Sequence, residues 1–252
     1  ILHGDFGMSF IYRAPVLEVI GEKFRLTLLL MMTAWALSGI IGFVLGVLAG
    51  MYRDSVLDKA IQGFSLLCVS VPIFWLGLLF LMIFSVQLQW FPLALAAPIG
   101  KLHEEVTLAD QIRHLILPAL TLSVTGISSI TLQTREKLLE VMSTNYMLFA
   151  EARGESLWQR VRRHGLRNIL MPAITLQFAS FNELFGGAIL AETVFSYPGL
   201  GSTVTMAGLR GDLSLLLGIA IFSAVFIFVG NLIANILYGI VDPQLREGRG
   251  MS

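Results

Sequence analysis

Two carboxylates, Glu183 and Glu192, interrupt an apolar run that also holds Gln177 and Asn182. Ionisable groups inside lipid are costly and turn toward a cavity or a partner. Positions 183 and 192 are nine apart, about two and a half helical turns, so the two carboxylates face different directions and need not share a site. Glu192, beside Thr193, reads as a hydrogen-bond anchor for the turn Ser196-Tyr197-Pro198-Gly199. Glu183 lies deeper and precedes Gly186-Gly187, which permit close backbone approach; lining of a polar pathway and packing against a partner subunit both fit it. Asn231 and Asn235 are one turn apart on one helix face, first as an interhelix polar seam and second as pathway lining.

Other chemistries find little support. Ser128 and Ser129 stand in an apolar run, and no credible histidine or lysine base shares the membrane with them, which argues against an intramembrane hydrolase. His103-Glu104-Glu105 and the distant His114 lack the His-Glu-x-x-His spacing of a helix-borne zinc site and read as a hydrated outer loop. The single cysteine, Cys68, excludes an intrachain disulfide framework and a cysteine metal cluster. No Gly-x-x-x-x-Gly-Lys-Ser/Thr phosphate loop and no Gly-x-Ser-x-Gly elbow occur, so neither ATP hydrolysis nor serine catalysis is expected of this chain. The formal net charge of zero gives no electrostatic case for nucleic acid.

The elements that must hold these residues follow from composition. Of the 252 residues 56% are hydrophobic and 13% charged, with a mean hydropathy of +0.78, more apolar surface than a soluble domain of this length buries. The expectation is an all-α polytopic membrane protein. Apolar runs long enough for about 20 residues per crossing predict five spans, at 25–49, 62–87, 113–133, 172–195 and 213–239. Residues 1–24 form an outer N-terminal segment, 134–171 an inner loop and 240–252 an inner tail.

Lysine and arginine favour the cytoplasmic side of short loops. Arg53, Lys59, Arg135, Lys137, Arg153, Arg160, Arg162, Arg163, Arg167, Arg246 and Arg249 fall on one side; Arg13, Lys23, Arg25, Lys101, Arg113 and Arg210 fall on the other. The bias places the N-terminus outside and the C-terminus inside, and Trp90 at the outer end of span two agrees. Span three mixes Thr121, Ser123, Thr125, Gly126, Ser128, Ser129 and Thr131 into its apolar run, a pattern of tight helix packing, with pore lining as the lesser reading.

The inner loop is too patterned for a mere connector. Leu148 to Ala152 recur at helical spacing, Gly154 ends the helix at a sharp corner, and a second helix carries Trp158 and Val161 amid arginines. Pro172 is read as opening span four, where its missing N–H costs little. A surface helix that docks into a partner and an amphipathic helix lying on anionic lipid are both compatible with these residues.

The segment resembles the cytoplasmic EAA loop of ABC importer permeases, in the dipeptide, oligopeptide and nickel family. Ala150, Ala152, Arg153 and Gly154 match the start of the motif, and Arg163, His164, Leu166, Arg167, Asn168, Leu170 and Pro172 match its end. Leu148 stands where the general motif has its leading glutamate. Gly4-Asp5-Phe6-Gly7-Met8-Ser9, Ser70-Val71-Pro72-Ile73-Phe74-Trp75-Leu76, Val194-Phe195-Ser196-Tyr197-Pro198-Gly199-Leu200-Gly201 and Asp242-Pro243-Gln244-Leu245-Arg246 extend the resemblance over nearly the whole chain.

The resemblance implies a type I importer bundle whose family has six helices, so a first helix before Gly4 is expected to be missing here. It implies a second homologous permease, two ATPase subunits that bind ATP and Mg, and a periplasmic or lipid-anchored binding protein, within the inner membrane. Leu148, Phe149, Ala150, Ala152, Arg153, Gly154 and Trp158 would couple to the ATPase, and Gln177, Asn182, Glu183 and Asn231 would line the pathway. Glu183-Leu184-x-Gly186-Gly187 and Leu88-Gln89-Trp90-Phe91-Pro92 look slightly closer to nickel than to peptide permeases. The rival class, an ion-coupled secondary transporter, normally shows repeat symmetry, and no convincing repeat is seen.

Overall fold

The computed structural model describes residues 6–93, 95–96 and 107–241, with the side chains of 234–241 excepted. His103, Glu104, Glu105, Gly4, Asp5, the Asp242 to Arg246 motif and the Asn235 side chain lie outside the described residues. The described chain is nearly all helical: α1 Val16–Met51, α2 Val56–Ser70, α3 Ile73–Phe80, α4 Leu108–Met142, α5 Asn145–Ala152, α6 Leu157–Arg160, α7 Leu166–Ala179, α8 Phe181–Val194, α9 Leu200–Arg210 and α10 Leu213–Val241. α3 runs on as a π-helical stretch over Leu81–Gln87, and another, Val161–Gly165, joins α6 to α7.

Among the described residues three unbroken helices, α1, α4 and α10, are long and apolar enough to cross a membrane. Two of the five predicted spans are interrupted instead. Span two breaks at Val71-Pro72, where proline has no N–H to offer the helix ladder and forces Val71 into an extended conformation. Span four breaks at Ser180, between α7 and α8. α4 continues to Met142, so residues 134–142, read as inner loop, are helix; α7 begins at Leu166, so Pro172 lies inside it and does not open it. At 36 residues, α1 is about 54 Å long, well beyond the ~30 Å hydrocarbon core.

The chain divides into two compact units. The first comprises 1–34, 72–122 and 182–230, and the second 35–71, 123–181 and 231–252. In the first, Val16, Val19 and Ile20 of α1 pack with Leu200 and Ala207 of α9 and Leu215 and Ile219 of α10, and Phe24 meets Phe222 and Phe226 edge to face. In the second, Gly42, Gly46 and Gly50 give α1 a smooth stripe against α4. A methyl at Gly46 would meet the Thr131 carbonyl at 2.7 Å and Thr134 Cβ at 2.6 Å, so the close approach depends on glycine. Thr131 Oγ1 donates to the Gly42 carbonyl across this contact, and Ser128 back-bonds to Val124. Thr131 thus serves helix packing, while Ser129 is exposed.

Candidate functional site

Thr144 precedes α5, whose Met147 and Ala150 are buried while Leu148, Phe149 and Ala152 face outward. Met147 sits in an apolar cluster with Val47 of α1, Leu138 and Val141 of α4, Val161 and Ile169. The helix is thus seated by its inner face, and Phe149, 72% exposed, projects from the outer one.

The corner after α5 closes by hydrogen bonds from Gly154 N–H to the Glu151 carbonyl and from Glu155 N–H to the Ala150 carbonyl. This paired pattern requires a left-handed residue after the helix, and Gly154 supplies it with φ +85°. Ser156 then caps α6: its hydroxyl accepts from Gln159 N–H, and the Gln159 side chain accepts from Ser156 N–H. Arg160 donates to Glu151 at 2.7 Å, an ion pair that braces the second helix against the first, and His164 Nε2 lies 3.2 Å from Glu155 of the corner. Arg153 and Trp158 are exposed. The helix, glycine corner and second helix expected from the sequence are all present, and of the residues expected to couple only Ala150 points inward.

The polar groups of the membrane runs fall into different environments. Gln177 is buried in the second unit, where its amide nitrogen donates to the Trp35 carbonyl and Ser38 Oγ and Trp35 Nε1 donates back to the Gln177 carbonyl at 2.8 Å. In the first unit Glu183 is exposed and Asn182 half-buried near Gly230. Gly186, one turn beyond Glu183, has open space before it. Asn231 is exposed in α10.

Glu192 is fully buried and accepts from Thr27 Oγ1 at 2.6 Å, Gly201 N–H at 2.7 Å and Ser202 N–H at 3.2 Å. It caps the start of α9 and anchors the turn before it, the role expected from sequence, with Thr27 as a partner that sequence spacing could not name.

Two further polar joints escaped sequence reasoning. Asp212, at the start of α10, accepts from Ser9 Oγ at 2.7 Å and from the N–H groups of Ile11 and Leu215. Burial pushes its carboxyl pKa up, but these hydrogen bonds outweigh burial and hold it below the ordinary aspartate value. Asp58, in the first turn of α2, receives Arg135 of α4 through Nε at 2.6 Å and Nη2 at 2.7 Å. Both were legible only as loop charges. The glycine stripe of α1 did carry a sequence signal, small residues every fourth position at 42, 46 and 50.

Comparison with known proteins accords with this architecture. Residues 42–247 match the family model described as "Binding-protein-dependent transport system inner membrane component". The chain is similar to the "Oligopeptide transport system permease protein AppB" of Bacillus subtilis (strain 168), with 36% identity over 98% of this chain and 77% of that protein. It is also similar to the "Dipeptide transport system permease protein DppB" of Escherichia coli (strain K12), with 32% identity over 98% of this chain and 78% of that protein. Among solved structures, one titled "Inward facing conformations of the MetNI methionine ABC transporter: CY5 native crystal form" aligns with a TM-score of 0.70 and 15% identity, covering 90% of this chain and 97% of that one, and shares the fold. The chain belongs to the binding-protein-dependent transport system inner membrane component family and is a multi-pass ABC importer permease subunit, with the ATPase a separate subunit.

Proposed function

We propose that this permease carries short peptides inward across the inner membrane, and that α5 with its glycine corner is the surface through which partner ATPases drive it. One observation carries the coupling reading: α5 is seated rigidly through Met147 while Phe149 stands free on the opposite face. An exposed aromatic on a fixed support suits an anchor filling a partner's cleft. Two ATPase subunits binding ATP and Mg, a second homologous permease and a periplasmic or lipid-anchored binding protein complete the proposed assembly, with the C-terminus cytoplasmic. ATP binding would bias the bundle between outward-open and inward-open states through differential affinity for the two.

The names of the similar permeases, oligopeptide and dipeptide, support peptide cargo. Family membership favours this class over an ion-coupled secondary transporter. Glu183 faces outward from α8 beside the open space at Gly186. In a membrane such a charge turns to a cavity or partner, which suits a group contacting the peptide's amino terminus. Asn182, Asn231 and Gln177 are proposed as further pathway residues.

The test is uptake in proteoliposomes containing the two permeases, the ATPases and the binding protein. Labelled trialanine is expected to accumulate with ATP, and nickel chloride is not; nickel accumulation without peptide would overturn the cargo reading. Phe149→Ala is expected to reduce uptake per ATP hydrolysed, and an unchanged ratio would overturn the docking reading.

A further inference from the structure

α2 is held by a thin inner stripe: Asp58, Ile61, Ser65 and Cys68 are its buried residues, and Ile61 is the one large aliphatic side chain among them. Leu57, Phe64, Leu66, Leu67 and Val69 are exposed. Apolar packing therefore fastens α2 weakly, and its strongest described joint is polar.

That joint is well made. Asp58 is fully buried and Arg135 is 16% exposed. The guanidinium offers its fork to both carboxylate oxygens at 2.6 and 2.7 Å, while Asp54 N–H and Gln62 Nε2 donate to the same two oxygens at 2.9 Å each. A bidentate fork fixes orientation as well as distance, which a lysine at the same position would not do. Asp54 itself takes a left-handed conformation, φ +62°, so the connector is turned to present its N–H to this carboxylate.

Arg135 lies one helical turn before Leu138, and Leu138 shares the apolar cluster that seats Met147 of α5. α5 bears on the end of α4, and α4 grips α2 through Arg135. We infer that Asp58 and Arg135 are positioning residues of the transport stroke: their ion pair makes α2 move with the α4–α5 support, so displacement of the docking helix reaches α2. The inference rests on the docking role proposed above for α5. Coupling of this kind is a free energy that depends on a rigid joint, and a loosened joint lets ATP turnover proceed while cargo movement slips.

The experiment compares Asp58→Asn, Arg135→Lys, the exchange D58R/R135D and Phe149→Ala in the reconstituted four-component importer. Assembly with the ATPases, ATP hydrolysis and uptake of labelled trialanine, with nickel chloride as parallel probe, are read together. Arg135→Lys keeps the charge and loses the fork; assembled complexes are expected to lose about tenfold in uptake per ATP with hydrolysis retained. The exchange is expected to recover part of the loss relative to Asp58→Asn. A normal ratio in assembled Arg135→Lys complexes would overturn the inference, as would failure of every Asp58 and Arg135 variant to assemble, which would assign the pair to folding alone. Phe149→Ala separates the two readings: if it uncouples while Arg135→Lys does not, docking stands and the joint falls. If Phe149→Ala leaves the ratio unchanged, docking falls whatever the ion pair does.

Discussion

Thr27 closes a buried joint with Glu192: its hydroxyl donates to Glu192 Oε1 at 2.6 Å and accepts from Leu200 N–H at 2.8 Å. One side chain thus satisfies a carboxylate in α8 and a free N–H in the first turn of α9. Thr27→Val preserves the shape and removes both bonds, and a loss of about 1–3 kcal/mol is expected from the stranded polar groups. The check is the unfolding midpoint in detergent; a midpoint equal to wild type would show that the joint contributes nothing.

Two glycines are expected to respond oppositely in kind. A methyl at Gly199 would lie 2.2 Å from Glu192 Oε1, so Gly199→Ala must displace the carboxylate and with it the start of α9. Gly154 has open space around it but φ +85°, so Gly154→Ala meets only backbone strain, about 1–2 kcal/mol. Thermal unfolding of both variants should rank Gly199→Ala as the more damaged, and the reverse order would contradict the packing described.

The two faces of α5 predict a clean separation of stability from transport. Met147 is fully buried, and Met147→Ala is expected to cost about 2–5 kcal/mol. Phe149 is exposed, and Phe149→Ala is expected to stay within about 0.5 kcal/mol of wild type while uptake per ATP falls. Differential scanning fluorimetry beside the uptake assay reads both. Equal destabilisation by the two would mean that Phe149 is a packing residue.

Acid should weaken the link between the N-terminal segment and α10. The Asp212 carboxyl pKa is lower folded than unfolded, so its contribution to stability is present above the unfolded value and is lost as pH falls through the folded one. The melting temperature of wild type is expected to decline from about pH 5 downward through the carboxylate range. Asp212→Asn should melt lower at neutral pH and show a flatter decline over that interval. Parallel curves for the two would exclude Asp212 as a contributor to the acid response.

Apolar run length and composition by themselves identified a helical membrane protein, because lipid imposes one rule on every backbone N–H and carbonyl: bond internally within a helix. The glycine corner at 154 was equally legible, since only a residue at ease with positive φ ends a helix in that way. The resemblance of the 150–172 segment to the EAA loop supplied the family. What sequence could not show were joints between distant residues. Thr27 with Glu192, Ser9 with Asp212 and Asp58 with Arg135 bring together positions 165, 203 and 77 apart, and periodicity carries no information about which side chains meet across helices. The break at Ser180 and the placement of Pro172 inside α7 were likewise not legible from run length. Tertiary structure decided which charges are buried and paired, and so which helices move together.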